Sequence, residues 1–381
     1  MHTPETSEQL AEAVQRAARH ERTIALSGNG TKSRMAGPIG RPDEYISTAG
    51  LNRVLEYEPR DLTISVEAGL PWRELERLLA ENRQMVPLDP PFADGATVGG
   101  VVASNSSGPR RRLYGTARDL VIGMEFATVE GKLVRSGGMV VKNVAGLDMA
   151  KLMIGSFGTL AAISVVNFKL LPLPELERSF LLSFRGLAQA MEARNRILAS
   201  ALQPSAIDLL NPTAAATLGN RAWMLAVRTG GNAEVVERYE RELAALGEAL
   251  AYDGDAALEL WQHISQFTPR FLARYANGAV ARLSCTLKEV GAAMESFEGP
   301  AVARAGSGVC YGYFERASAA GEWLTRASRG GKVVIEFSPE DRHVDFDLWP
   351  APSGDLELMK RVKQLFDPGS FLNRGRIYGR I

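Results

Sequence analysis

Apolar residues return at helical spacing at Leu10, Val14 and Ala17, behind Thr6 and Ser7, whose hydroxyls can cap the first turn; the pattern predicts a helix. The run "TIALSG", Thr23 to Gly28, predicts a buried strand that breaks into a turn. Leu62, Ile64 and Val66 alternate with polar positions as a strand does, and Pro71 opens a helix that turns Trp72, Leu75, Leu78 and Leu79 inward. Leu120 to Gly138 predicts two strands joined at Glu130-Gly131, and "GTLAAISVVNFKLLPLP" adds another strand before Pro172 and Pro174 close the unit. Beyond a boundary near Glu175 the texture changes. The strands "SFLLSF", "AWMLAVRT", "AVARLSCTL" and "KVVIEF" alternate with amphipathic helices, which predicts a second α+β domain of antiparallel sheet and helices over 176–350. A last helix in 351–381 is expected to present Leu358, Met359, Val362, Leu365 and Phe366 on one face and to stop at Asp367-Pro368-Gly369.

Composition narrows the function classes. At 381 residues and 45% apolar content the chain suggests two domains. Lysines plus arginines number 44, as do aspartates plus glutamates, so no overall field draws the chain onto nucleic acid or an anionic membrane. Cys285 and Cys310 lie far apart with no CxxC pair, which argues against a disulfide framework, a structural zinc or a cluster. The longest apolar run, "LAAISVV" at Leu160 to Val166, is far too short to cross a bilayer. The expectation is a cytoplasmic protein with no transmembrane segment, peripheral at the inner membrane at most through its partners.

Two segments offer bare backbone where an anion could be cradled, because glycine alone allows close approach at unusual φ without a Cβ penalty. They are "SGNGTKS", Ser27 to Ser33, and "DGATVGGVVASNSSGPRRRLYG", Asp94 to Gly115. A nucleotide P-loop fails, since Thr31 and Leu26 stand where its two glycines belong, and no six-residue dinucleotide fingerprint opens a helix here. Arg110, Arg111 and Arg112 are expected to be a solvated charged loop.

Taken with "ISVEAGLPWRELERLLAENRQMVPLDP" and "VVKNVAGLDMAKLMIGSFGTLAAI", these segments make Met1 to Pro174 resemble the FAD-binding (PCMH-type) domain of the vanillyl-alcohol oxidase and p-cresol methylhydroxylase superfamily. The resemblance implies a domain of two α+β subdomains over 1–175 holding FAD. It implies Gly28, Asn29, Gly30, Thr31 and Lys32 as one wall around the pyrophosphate and Thr97, Gly99, Gly100, Asn105 and Gly108 as the other. Tyr114, Gly115, Gly158 and Ile163 match positions near the flavin and its adenosine. No histidine stands in the first loop and no cysteine near the second, so the FAD is expected to be noncovalent.

Departures matter too. Leu147 and Phe157 replace a tyrosine and a glutamate usual in related 2-hydroxyacid dehydrogenases, and a histidine cluster is missing. His2, His20, His263 and His343 are not spaced as a metal pair; His343, beside Glu340 and Asp341, is the sole histidine in reach of general-base work and is expected to be solvated, so no metal and no catalytic residue is assigned. The tail "LFDPGSFLNRGRIYGRI" is similar to the family ending "DP-x-x-x-x-N-P-G-K", with Asp367, Pro368, Asn373 and Gly375 in place and Arg374 where proline is usual. Together these features resemble the family of E subunits of bacterial glycolate oxidase. The implied partners are a related FAD-binding D subunit and an iron–sulfur F subunit that passes electrons from glycolate toward membrane quinone. A free-standing FAD-dependent oxidoreductase for another hydroxyacid or alcohol, and a non-catalytic scaffold, remain the alternatives; Arg374 and Arg376 are open as carboxylate anchors.

Overall fold

The computed structural model describes residues 1–139, 147–327, 332–339, 344, 346–352, 354–379 and 381. It is an α+β protein whose two large sheets are antiparallel. Contacts divide it into two compact units: Met1–Ser107 with Gly115–Leu173 and Ala351–Ile381, and Gly108–Tyr114 with Pro174–Pro350.

In the first unit the helix Ser7–Arg19 starts where Thr6 accepts a hydrogen bond from the Gln9 amide at 3.2 Å, and it buries Leu10, Val14 and Ala17. β1 (Ile24–Ser27) runs parallel to β2 (Glu44–Ser47). β3 (Val54–Glu58), β4 (Thr63–Glu67), β6 (Val121–Ala127), β7 (Leu133–Gly137) and β8 (Ala162–Lys169) form an antiparallel sheet in the order β3-β4-β8-β6-β7; β5 (Gln84–Met85) pairs with β9 (Leu171–Pro172). The β6–β7 turn uses Gly131 at φ +78°, a left-handed position that suits glycine. Ile64, Val66, Val166 and Phe168 pack against Trp72, Leu75 and Leu79 of the helix Trp72–Glu81 and Val98, Val101 and Val102 of the helix Val98–Ala103.

The C-terminal helix, Asp355–Phe366, belongs to this first unit and corrects the expected face. Leu358 and Leu365 are 60% and 81% exposed, while Leu356 and Lys363 are buried, with Val362 and Phe366 packed against the core. A lysine occupies the inner stripe because it finds a complete set of partners there. Lys363 Nζ lies 2.6 Å from Asp367 Oδ2 and donates to the carbonyls of Thr159 and Leu372 at 2.6 and 3.1 Å. Asp367 in turn accepts from the amides of Phe371 and Leu372 at 3.0 and 2.8 Å.

The second unit is built on an eight-stranded antiparallel sheet. Its strands are β10 (Leu176–Phe184), β11 (Ala206–Leu210), β12 (Trp223–Gly231), β13 (Ala249–Tyr252), β14 (Ala279–Ser284), β15 (Ala301–Arg304), β16 (Val309–Phe314) and β17 (Lys332–Phe337), in the order β13-β10-β12-β11-β15-β16-β14-β17. One face is the core: Leu209, Leu225, Val227, Ala281, Leu283, Ala303, Cys310 and Ile335 meet the helices Leu187–Ala199, Val290–Glu295 and Ala317–Ala327. Strand alternation sends Arg282, Arg304, Tyr311, Tyr313 and Glu336 to the other face, where Phe267 and Phe271 stack on Tyr313 with ring centroids 4.7 and 5.2 Å away. His343, Glu340 and Asp341 lie outside the described residues.

Removing one partner of a buried ion pair leaves the other charge stranded, which typically costs about 3–5 kcal/mol. Asp367→Ala is therefore expected to lower the unfolding free energy of the flavin-free chain by at least about 3 kcal/mol in urea titrations, since two tail amides lose their acceptor as well. A loss below about 1 kcal/mol would show that the Lys363–Asp367 pair does not hold the tail.

Candidate functional site

The first glycine loop leaves β1 at Ser27 and makes two tight turns, with the Ser33 amide donating to the Gly30 carbonyl and the Met35 amide to the Lys32 carbonyl, both at 3.0 Å. Those bonds leave four consecutive donors over. Among the described residues, the backbone amides of Asn29, Gly30, Thr31 and Lys32 meet no acceptor within the chain. Gly30 takes φ +71°, and nothing stands within 4 Å of where its Cβ would be, so the concave side of the loop is open. The Lys32 side chain is 8% exposed; its ammonium has the Thr31 hydroxyl at 3.5 Å and the Phe92 ring at 6.0 Å, and no carboxylate among the described residues. Burial pulls its pKa from the ordinary lysine range down to about 8. A row of unsatisfied amides and a desolvated cation with no counterion form a seat for a phosphate group.

The second wall meets the first directly. A Cβ on Gly28 would collide with the Thr97 hydroxyl, the Asn29 side chain donates to the Gly95 carbonyl at 3.1 Å, and Gly95 faces the Thr31 methyl. Thr97 caps the short helix Val98–Ala103 by accepting from the Gly100 amide. The Val98 and Gly99 amides are bonded to the carbonyls of Leu70 and Ala68, so this wall supplies surface and the first loop supplies donors. Gly99 is glycine because its Cβ would lie 2.7 Å from that of Ala68.

A third loop closes on the helix. The amides of Gly155 and Phe157 donate to the carbonyls of Val102 and Ala103 at 3.2 and 2.8 Å, which brings Gly155 against Asn105. Among the described residues, Asn105 Oδ1 and Ser156 Oγ are buried polar atoms without a partner, two more unmet groups beside the same walls. Gly158 abuts Asn373 and Leu26. The tail residue Asn373 bridges the set: its side chain accepts from the Leu26 amide at 2.7 Å and donates to the carbonyls of Leu26 and Phe157 at 3.0 and 2.7 Å. Arg376 is a brace, not a carboxylate anchor, for its guanidinium donates to the carbonyls of Lys32, Ser33, Met35 and Gly37. Sequence reasoning missed this role; the only signal was the tail's likeness to a family ending.

The remaining expected residues are placed as follows. Gly115, at φ +81°, leaves no room for a side chain beside Asp119, which closes the capping box of the helix Ala117–Leu120 with Thr116. Ile163 is a buried core position of β8 opposite Phe126. Gly108 and Tyr114 fall in the segment that clusters with the second unit. The arginines between them are no solvated loop: Arg112 donates to the Pro204 carbonyl at 2.8 Å and lays its stem on Gly306, while burial holds the Arg111 guanidinium below its usual range. His263 hydrogen-bonds Thr217 and Arg270 at 2.8 and 2.6 Å, and burial lowers its pKa. No group of three or more metal-ligating side chains occurs among the described residues. No described helix is long and apolar enough to cross a membrane.

Residues 1–137 match the model of the FAD binding domain, and residues 351–377 match that of the C-terminal domain of FAD linked oxidases. The chain is 34% identical to glycolate oxidase subunit GlcE of Escherichia coli over 203 residues, 53% of this chain and 56% of that one, so the match spans about half of the relative. An uncharacterised FAD-linked oxidoreductase of Mycobacterium tuberculosis is 26% identical over 99% of this chain and 90% of its own. The solved structure of a 4-ethylphenol oxidase from Gulosibacter chungangensis shares the fold, with a TM-score of 0.76 at 15% identity, covering 99% of this chain and 88% of that one. The cofactor is FAD, and the open amides of Asn29 to Lys32 with the Lys32 ammonium fit its diphosphate.

A diphosphate selects the charged form of Lys32. Above pH 8 the flavin-free loop has lost that proton and must take it back on binding, so FAD affinity is expected to fall about tenfold per pH unit above about 8. Flavin fluorescence titrations over pH 7–10 measure it; Lys32→Met should bind FAD at least about tenfold more weakly at pH 7 and lose the slope. A slope that survives in Lys32→Met would assign the proton elsewhere.

Proposed function

We propose that this chain, which carries the FAD-binding and C-terminal segments of the FAD linked oxidases, is a flavin-bearing subunit of a glycolate oxidase complex. The observation that carries the reading is the diphosphate seat at Asn29–Lys32 in a chain 34% identical to GlcE over half its length. In this reading the complex converts glycolate to glyoxylate: the substrate loses its C2 hydrogen with two electrons and its hydroxyl proton. The bound FAD supplies the acceptor for the hydride equivalent. The chain's own residues hold that cofactor. The Asn29–Lys32 amides and ammonium bind the diphosphate, Thr97 and Gly28 fix the spacing of the walls, and Asn373 and Arg376 keep the loop from closing on itself. Partner subunits, a related flavin-binding chain and an iron–sulfur chain, complete proton transfer and carry the electrons onward.

A second reading, a free-standing FAD-dependent 2-hydroxyacid or alcohol oxidoreductase, is favoured by the full-length likeness to the mycobacterial oxidoreductase. Anaerobic stopped-flow mixing with glycolate separates the two. A well-placed base is worth about 10²- to 10⁴-fold in rate, so the flavin of the isolated chain is expected to bleach at least about 100-fold more slowly than the same chain reconstituted with both partners. Equal rates would make the chain an enzyme in its own right. A colourless purified protein that takes up no added FAD would sink both readings.

A further inference from the structure

The fold of the second unit brings together two thiols that lie far apart in the sequence. Cys310 is buried on the core face of β16, opposite Leu283 of β14, while Cys285 follows β14, is half-buried and packs against the same core cluster. Side chains on one face of a strand repeat every two positions, so Cys285 and Cys310 are diagonal neighbours across the ladder. The ladder is drawn in at this point. The Cys285 amide donates to the Gly308 carbonyl at 2.9 Å, and a Cβ on Gly308, at φ +68°, would lie 2.1 Å from the Cys285 carbonyl oxygen. Only glycine lets the two backbones come so close. The Cys310 thiol hydrogen-bonds the Cys285 sulfur, and both cysteines are free thiols in the structure.

The helix Leu187–Ala199 braces the pair. Arg194 donates to the carbonyl of Leu287, just beyond Cys285, at 2.8 Å, and to that of Ala305, in the turn leading into β16, at 3.0 Å. Its charge acts on both sulfurs, and its Nε has no acceptor among the described residues. The two thiols are unequal. The hydrogen bond from Cys310 lowers the Cys285 pKa, with the Arg194 charge adding to it against burial and Glu289; the same bond, and then burial, push that of Cys310 up. One sulfur therefore carries negative charge at the edge of the core, where solutes reach it. The other keeps its proton and stands behind it. An accessible, activated thiol beside a second thiol is the arrangement that peroxide chemistry on cysteine requires.

We propose that Cys285 is a modification site for hydroperoxides and that Cys310 is its resolving partner, the two forming a reversible disulfide between the exit of β14 and β16. The Cys285 thiolate attacks one oxygen of the peroxide; the O–O bond breaks, Cys285 becomes a sulfenic acid and the departing oxygen takes up a proton. The Cys310 sulfur then attacks the Cys285 sulfur, the S–O bond breaks, and the hydroxide leaves with the Cys310 proton as water. Two thiols are oxidised by two electrons while hydrogen peroxide is reduced to two molecules of water. The step needs neither glycolate nor a partner subunit. A dithiol reagent reverses it by exchange.

The test adds hydrogen peroxide to the full chain with FAD present, counts thiols after denaturation and reads the intact mass without reduction. Both thiols are expected to disappear together from one chain, with the mass falling by two hydrogens, and dithiothreitol should restore both. The rate should level off at a lower pH than it does for a free cysteine, because Cys285 is the thiol that reacts. Cys310→Ala keeps a small apolar side chain in the core and should stop the reaction at a sulfenic acid on Cys285, which dimedone captures. In Cys285→Ser the buried Cys310 should be oxidised at least about tenfold more slowly than in wild type. The wild-type mass and pH profile decide the matter if either variant fails to fold. Retention of both thiols under excess peroxide, loss of only one, a disulfide between two chains, or undiminished oxidation of Cys310 in Cys285→Ser overturns the assignment.

Discussion

The first glycine loop must keep four backbone donors unsatisfied, and the interaction that makes this tenable is the clamp of the C-terminal tail on it. Buried or half-buried amides normally find an acceptor, and a glycine-rich loop left alone would rearrange until they did. Here the carbonyls of the same stretch are taken instead. Arg376 binds those of Lys32, Ser33, Met35 and Gly37, and Asn373 binds both polar groups of Leu26 at the end of β1. With its acceptors pinned from outside, the loop cannot fold back to satisfy its own donors. The clamp depends on the Lys363–Asp367 pair, which fixes the amides of Phe371 and Leu372 and so the approach of Asn373.

The same clamp accounts for a strained residue. Phe157 takes φ +53°, a left-handed conformation that a bulky side chain rarely adopts and that costs on the order of 1–3 kcal/mol. It is held at both ends: its amide donates to Ala103 and its carbonyl accepts from Asn373. One tail side chain therefore sets the position of the first loop and of the third together, although 347 residues separate Leu26 from Asn373.

Local pattern was enough for most elements. Period-two and period-3.6 spacing locates the β6–β7 hairpin, the Trp72–Glu81 helix and the strands of the second sheet, because each buries a continuous apolar stripe. The C-terminal helix breaks that logic, since its inner stripe contains Lys363 and periodicity cannot see a partner four residues on that is also buried. The glycines were legible as bare backbone but not as individuals. Gly28 yields to Thr97, Gly99 to Ala68 and Gly115 to Asp119, whereas Gly30, the fourth of this set, opens onto empty space. Spacing marks all four alike; the contact that each avoids is a property of the folded chain. Arg111 and Arg112 likewise look like a solvated run until Pro204 and Gly306 are seen beside Arg112.

Buried cations in this protein fall into two kinds, and the difference separates architecture from function. Lys363 and Arg304 each meet a buried carboxylate, and Arg194, 1% exposed, donates to the carbonyls of Ala305 and Leu287; these pairings stabilise a tail and a sheet. Lys32 meets no carboxylate among the described residues. Desolvating a cation costs free energy whether or not a partner repays it, so a fold that does so without supplying the partner is incomplete until an anion arrives from outside. At Lys32 the adjoining amides suit a tetrahedral, multiply charged anion. Lys32 is thus the buried cation left for the phosphate-bearing cofactor, while Lys363, Arg304 and Arg194 serve the architecture.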